Sequence, residues 1–200
     1  MSEFEAFFWT GYEHIVAADG LDHILFIVVL AAVYPREEWR KILVLVTAFT
    51  LGHSLTLALA ALQVISVNRS LIELLIPVTI FVTAILNFFE KPTLLQHKTL
   101  SQGHVIRYVL AMVFGFIHGF AFSGLLMRMF AGMEDKILWP LFAFNVGIEV
   151  GQILVVLGVI LLSFIAINYL KIKAMYWNTG LSALAALAAV VIFIVKLTNS

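Results

Sequence analysis

The chain has 200 residues, 62% of them hydrophobic and 12% charged, with a formal net charge of zero and a mean hydropathy of +1.06. A soluble domain is about half apolar and about a quarter charged, so this composition excludes one and points to a polytopic membrane protein. The neutral balance leaves no basic surface for nucleic acid, and the absence of cysteine removes disulfides, thiolate metal ligands and a thiol nucleophile.

The first five residues are acidic where a secretory signal is basic, so the N-terminus reads as mature sequence. Residues 4–12 carry Phe4, Phe7, Phe8 and Trp9 and suit a short interfacial helix. Six apolar stretches then meet the length of about 20 residues that a spanning helix needs. They are 11–34, 42–64, 71–89, 105–126, 138–167 and 177–197. Pro35, Pro92 and Pro140 fall at or near boundaries, and Pro77 alone lies inside a span, where a kink is expected. No polar stretch is long enough to fold separately and no internal repeat stands out. The expected fold is all-α: one integral-membrane domain over residues 1–200, a transmembrane bundle of six spanning helices with a short N-terminal helix as a seventh.

Basic residues set the orientation. Arg36, Arg40 and Lys41 fall in the first loop, Lys91, Lys98 and Arg107 in or beside the third, and Lys171 and Lys173 in the fifth. These loops share one side and hold eight of the twelve basic residues. The reading is a cell-membrane (inner-membrane) protein with those loops in the cytoplasm and both termini outside it. Aromatic belts agree, with Trp9, Tyr12 and Trp139 on one side and Tyr34, Trp39, Tyr108, Tyr169, Tyr176 and Trp177 on the other.

Four of the spans carry ionisable residues near their middle: Asp22 with His23, then His53, His118 and Glu149. Such groups are costly in lipid unless they face one another or a ligand. Counting along straight helices at about 1.5 Å per residue puts His23, His53 and His118 roughly 17 Å from the cytoplasmic boundary. The same count puts Glu149 about 15 Å from the outer face. One shared level is the main argument for a common site. Neighbours on the same helical faces support it: Asp19 beside Asp22 and His23, Ser54 beside His53, and Asn145 and Gln152 beside Glu149. These suit an orienting shell around the ligands. Gly115 and Gly119 bracket His118, and Gly147 and Gly151 flank Glu149. Such pairs admit close helix approach, within one chain or between copies in a homo-oligomer.

A lone intramembrane histidine is often interhelical glue, worth about a kcal/mol or less. Three histidines and an acid at one depth, with no Lys or Arg in a helix centre to pair the acid, read instead as a metal or proton site. Imidazole and carboxylate suit a borderline divalent ion: nickel first, with cobalt, zinc or iron as alternatives. His14, near the outer boundary, reads either as a ligand at the entrance or as an interfacial histidine. Glu73 reads as a helix-dipole charge at the start of the third span. His97 and His104 read as solvated loop residues.

Four stretches carry a family resemblance: Gly-Leu-Asp-His-Ile-Leu-Phe at 20–26, Thr-Ala-Phe-Thr-Leu-Gly-His-Ser-Leu-Thr-Leu at 47–57, Phe-Gly-Phe-Ile-His-Gly-Phe-Ala-Phe at 114–122 and Phe-Asn-Val-Gly-Ile-Glu-Val-Gly-Gln at 144–152. In this order they make the chain similar to the HupE/UreJ family of small bacterial membrane proteins. That resemblance implies nickel supply to hydrogenase or urease and a nickel or cobalt permease activity. The Asp-His and Leu-Gly-His-Ser segments are also similar to signatures of the larger nickel/cobalt transporter family. There a histidine precedes Asp-His by a short gap; here His14 lies further back.

The expected function is transport of a divalent transition metal, most simply nickel, through a centre formed by His23, His53, His118 and Glu149. Asp19, Asp22 and His14 would form its entrance. The chain carries no phosphate-cradling Gly-rich Lys motif, so a secondary permease is expected rather than an ATPase. Two alternatives use the same residues. One is an intramembrane metal-dependent hydrolase assisted by Ser54 or Ser123. The other is a metal-binding accessory protein with neither flux nor turnover.

Overall fold

The computed structural model describes residues 1–62, 64, 65, 67–90, 102–129 and 137–199. Seven α-helices account for nearly all of them, and no strand is present among the described residues. In lipid every backbone N–H and C=O needs an internal partner, which leaves apolar segments of this length only the helix.

The first helix, α1 (Glu3–Val16), starts on a capping box. The Ser2 hydroxyl accepts from the Glu5 N–H at 3.3 Å, and the Glu5 carboxylate accepts from the Ser2 N–H at 2.9 Å. A 3₁₀ turn over Ala18–Gly20 then breaks the chain, and α2 (Leu21–Ala32) leaves at 65° to α1. The continuous helix expected over 11–34 is therefore two helices. Gly20 suits the break, since glycine carries a backbone entropy cost in a helix. Nor is α1 an isolated interfacial helix. It lies along α6, close enough that a Cβ on Gly11 would meet the Phe144 carbonyl.

A short 3₁₀ turn, Arg36–Glu38, leads into α3 (Trp39–Ala61). Helix α4 (Arg69–Phe89) is capped by Asn68, whose side chain accepts from the Leu71 N–H at 3.3 Å, and it carries Pro77 in its buried interior. Helix α5 spans Gln102–Met129. Helix α6 (Leu138–Phe164) ends in a π-helical turn, Ile165–Tyr169, and α7 covers Ala174–Thr198. Helices α3 to α7 are each long and apolar enough to span a membrane, and the bent α1–α2 pair passes the same test only when its two helices are taken together, which gives five or six spans among the described residues.

Two close helix seams set the architecture. On the first, α3 and α5 approach so nearly that a Cβ on Gly52 would meet the Met112 carbonyl and one on Gly115 the Phe49 carbonyl. On the second, α1 and α6 meet at Gly11 and Gly147, where a Cβ on Gly147 would meet the Phe8 carbonyl. Both small-residue pairs seen in the sequence are thus used within this chain, which leaves them no part in a homo-oligomer. Helix α2 runs between the two seams, and α4 and α7 close the remaining side. Helix α7 buries only Asn178, Ser182, Ala185 and Ala189 and turns its large apolar residues outward, as a lipid-facing helix does.

Candidate metal centre

Four histidines meet inside the bundle. His14 comes from the last turn of α1, His23 from the first turn of α2, His53 from the middle of α3 and His118 from the middle of α5. One ring nitrogen from each of His14, His23 and His53 lies within 4.8 Å of the others. Ring centroids are 4.6 Å apart for His14–His23 and 4.9 Å for His23–His118. They are 5.8 Å apart for His14–His53 and 5.9 Å for His23–His53. Bonds from imidazole to a transition metal are about 2.0–2.1 Å, so His14, His23 and His53 would have to draw inward to share one ion.

The bend makes the cluster. On a straight helix His23 would rise about 13 Å beyond His14 at about 1.5 Å per residue. The 65° break folds the start of α2 back against the end of α1 and brings the two rings side by side. Gly20 permits this approach, because a Cβ there would meet the His14 carbonyl and lie 2.7 Å from the Ile15 carbonyl oxygen. His14 therefore stands within the cluster rather than at an outer entrance, and a broken span frames the site, as in many ion-translocating folds.

Two of the four rings are oriented by bonds on the side away from the cluster. Asp22 Oδ1 accepts from His23 Nδ1 at 2.8 Å and also from the His23 backbone N–H at 2.8 Å. His118 Nδ1 donates to the Phe114 carbonyl at 2.8 Å. Acceptors on Nδ1 fix the tautomer and leave the Nε2 lone pair free, the usual outer bond of a metal-bound histidine. His23 Nε2, His118 Nε2, His14 Nε2 and both nitrogens of His53 are buried without a hydrogen-bond partner. His53 and His118 are 0% exposed and His23 is 3% exposed. Unpartnered polar atoms at such depth are costly, and several aimed into one space mark a place for a ligand.

Aromatic rings stand beside the centre. Phe122 lies 4.0 Å from the His14 ring, Phe49 5.1 Å from His118 and 5.9 Å from His23, and Phe26 5.7 Å from His118. These apolar neighbours lower the local dielectric, which strengthens charge interactions beside them.

Glu149 occupies a different place. Its carboxylate accepts from Thr47 Oγ1 at 2.6 Å and Thr50 Oγ1 at 2.7 Å, in a polar seam between α3 and α6. Gln152 Oε1 joins the seam at 2.6 Å from Thr50 Oγ1, and Ser54 Oγ donates to Asn145 Oδ1 at 2.6 Å. On α3, Thr47, Thr50 and Ser54 form one stripe while Phe49 and His53 turn toward the centre. The carboxylate, Ser54, Asn145 and Gln152 make their bonds in this seam, and the close ligand set found among the described residues is His14, His23 and His53, without Glu149. Asp22 touches His23 and acts through it. The side chains of Asp19 and Ser123, and all of His97, lie outside the described residues. Glu73 pairs with Arg69 at 2.7 Å, one turn away at the start of α4. His104 differs from the expected solvated loop residue: α5 starts before it, and the side chain is buried against α3.

The family model described as HupE / UreJ protein matches residues 1–198. No curated protein and no solved structure matches this chain.

Proposed function

The chain belongs to the HupE/UreJ family, and from that membership and the four-imidazole centre we propose that it carries a divalent transition-metal ion, nickel first, across the cell membrane. One observation carries the reading: four histidines from four helices, three of them buried and His14 half-buried, gather with ring nitrogens unpartnered, two of them pre-set to offer Nε2. Imidazole nitrogen suits Ni²⁺, Co²⁺ and Zn²⁺, and the lack of thiolates keeps the grip loose enough for release. His14, His23 and His53 form the inner ligand set, and His118 adds a fourth donor beside His23. Asp22 supplies the adjacent negative charge that offsets part of the cation's charge through His23.

The ion is the substrate. Moving its two charges down an inside-negative potential releases about 4.6 kcal/mol per 100 mV, enough to drive uptake without ATP. With the basic loops in the cytoplasm and both termini outside, the direction is inward.

Purified protein in proteoliposomes with a dye-reported metal uptake tests this. Ni²⁺ or Co²⁺ influx is expected to rise with an inside-negative potential and to fall to background in His53→Ala. Metal bound with no flux of any ion would favour an accessory role, and flux unchanged in His53→Ala would remove the centre from the path.

A further inference from the structure

At the end of the bundle where α2 stops and α3 and α5 begin lies a second set of ligand-type groups. The histidine centre does not use them. His104, on the first turn of α5, is 1% exposed. Its Nε2 is 3.2 Å from the Lys41 ammonium on the first turn of α3. An ammonium offers only donors, so Nε2 bears the lone pair and the proton sits on Nδ1. That Nδ1 is buried without a partner. The same ammonium is 2.7 Å from Glu38 Oε2. Beside this pair, Arg107 lies 3.3 Å from Glu90 Oε1 and donates to Asn87 Oδ1 at 3.2 Å. The Tyr34 ring is 6.2 Å from the His104 ring, and its buried hydroxyl has no partner.

We propose that Glu38 and His104 form a second, exit-side cation site that takes the transported divalent metal ion in the place now held by the Lys41 ammonium. The ammonium is a tethered cation resting between one carboxylate oxygen and one imidazole lone pair. That is a donor pair for a borderline divalent ion, and the ion outcompetes a single positive charge at the carboxylate. Lys41 ends a flexible stem and its side chain is 22% exposed, so it swings to water when displaced. Its return expels the ion, which keeps the site from becoming a trap. This inference rests on the transport reading for its cargo.

The test uses the full purified chain and Co²⁺ as probe, with bound metal counted after desalting and the cobalt absorption bands recorded. Lys41→Met is expected to bind one equivalent more than wild type, with a nitrogen-containing cobalt spectrum, and Lys41→Met/His104→Ala to lose that extra equivalent. In proteoliposomes Lys41→Met is expected to slow flux several-fold while retaining more metal. Lys41→Gln repeats the count with a polar side chain should Met disturb the fold. No increment in either Lys41 variant, or an increment that survives removal of His104, overturns the site. The increment is counted against whatever wild type binds, so a wild type that binds nothing sinks the histidine centre without deciding this one.

Discussion

His53 differs from its neighbours in having neither ring nitrogen engaged, and only contact holds its ring in place, with Phe49 at 6.1 Å among its neighbours. His23 and His118 each have Nδ1 committed to an acceptor. Loss of His53 therefore removes a ligand, whereas loss of an orienting partner loosens one. His53→Ala is expected to abolish stoichiometric metal binding, measured by elemental analysis of the purified protein. Asp22→Asn should act more gently. An amide oxygen still accepts from His23 Nδ1, but without the negative charge, and outer-partner substitutions weaken metal affinity about 10–100-fold. Asp22→Ala removes the acceptor as well and is expected to fall below Asn. Titration of Co²⁺ by calorimetry orders the three proteins, and equal affinity in Asp22→Ala and wild type would show that the carboxylate contributes nothing to the ring. A different residue, Asn87, carries the fold at the basic end of the bundle. Its Nδ2 donates to the Val29 carbonyl at 2.7 Å, its Oδ1 accepts from Arg107, and its own carbonyl accepts from Asn178 at 3.0 Å. Asn87→Leu keeps the backbone carbonyl but takes the side-chain amide away from the Val29 carbonyl and from Arg107, and is expected to destabilise the protein by about 1–3 kcal/mol, seen as a lower melting temperature in detergent.

At the scale of elements the break between α1 and α2 decides the site. Gly20 sits where the first turn of α2 rests on the last turn of α1, and a methyl group there would collide with the carbonyls of His14 and Ile15. Gly20→Ala is expected to push α1 away, separate His14 from His23 and lower metal affinity at least tenfold. Circular dichroism should stay unchanged, since both helices keep their own bonds. Affinity at the wild-type value in a folded Gly20→Ala protein would mean that the bend does not set the ligand spacing. The same element explains what the sequence could and could not reveal. Heights along a helix can be counted, so His23, His53 and His118 were legible as one level. Rotation of one helix against the next cannot be counted, and Glu149, assigned to the same level, faces the threonines of α3 on another stripe. The break itself lacks a proline and is signalled only by Asp19-Gly20, so depth reckoned along a straight helix misplaced His14. His104 was read as part of a polar loop because the chain before it is polar, yet α5 begins at Gln102 and turns the imidazole inward.

At the scale of the whole molecule, the mechanism proposed for the two sites depends on which end faces the cytoplasm. The histidine centre sits among aromatic rings inside the bundle, and the Glu38–His104 pair sits at the end that gathers Arg36, Arg40, Lys41 and Arg107. The proposed orientation, with basic loops retained in the cytoplasm, makes that end the exit and both termini external. An ion leaving the centre then moves with the membrane potential toward a carboxylate and an imidazole that a lysine clears after it. The sequence has no cysteine, so a single introduced thiol reports its own side. Glu37 lies in the exposed turn before α3, and Asn199 is exposed just beyond α7. In intact cells a membrane-impermeant maleimide is expected to label Asn199→Cys and to leave Glu37→Cys unlabelled until the cells are lysed. The reverse pattern would place the Lys41 ammonium at the mouth where metal arrives. There its competition would oppose capture rather than speed release, and an inside-negative potential would drive ions from that mouth into the histidine centre.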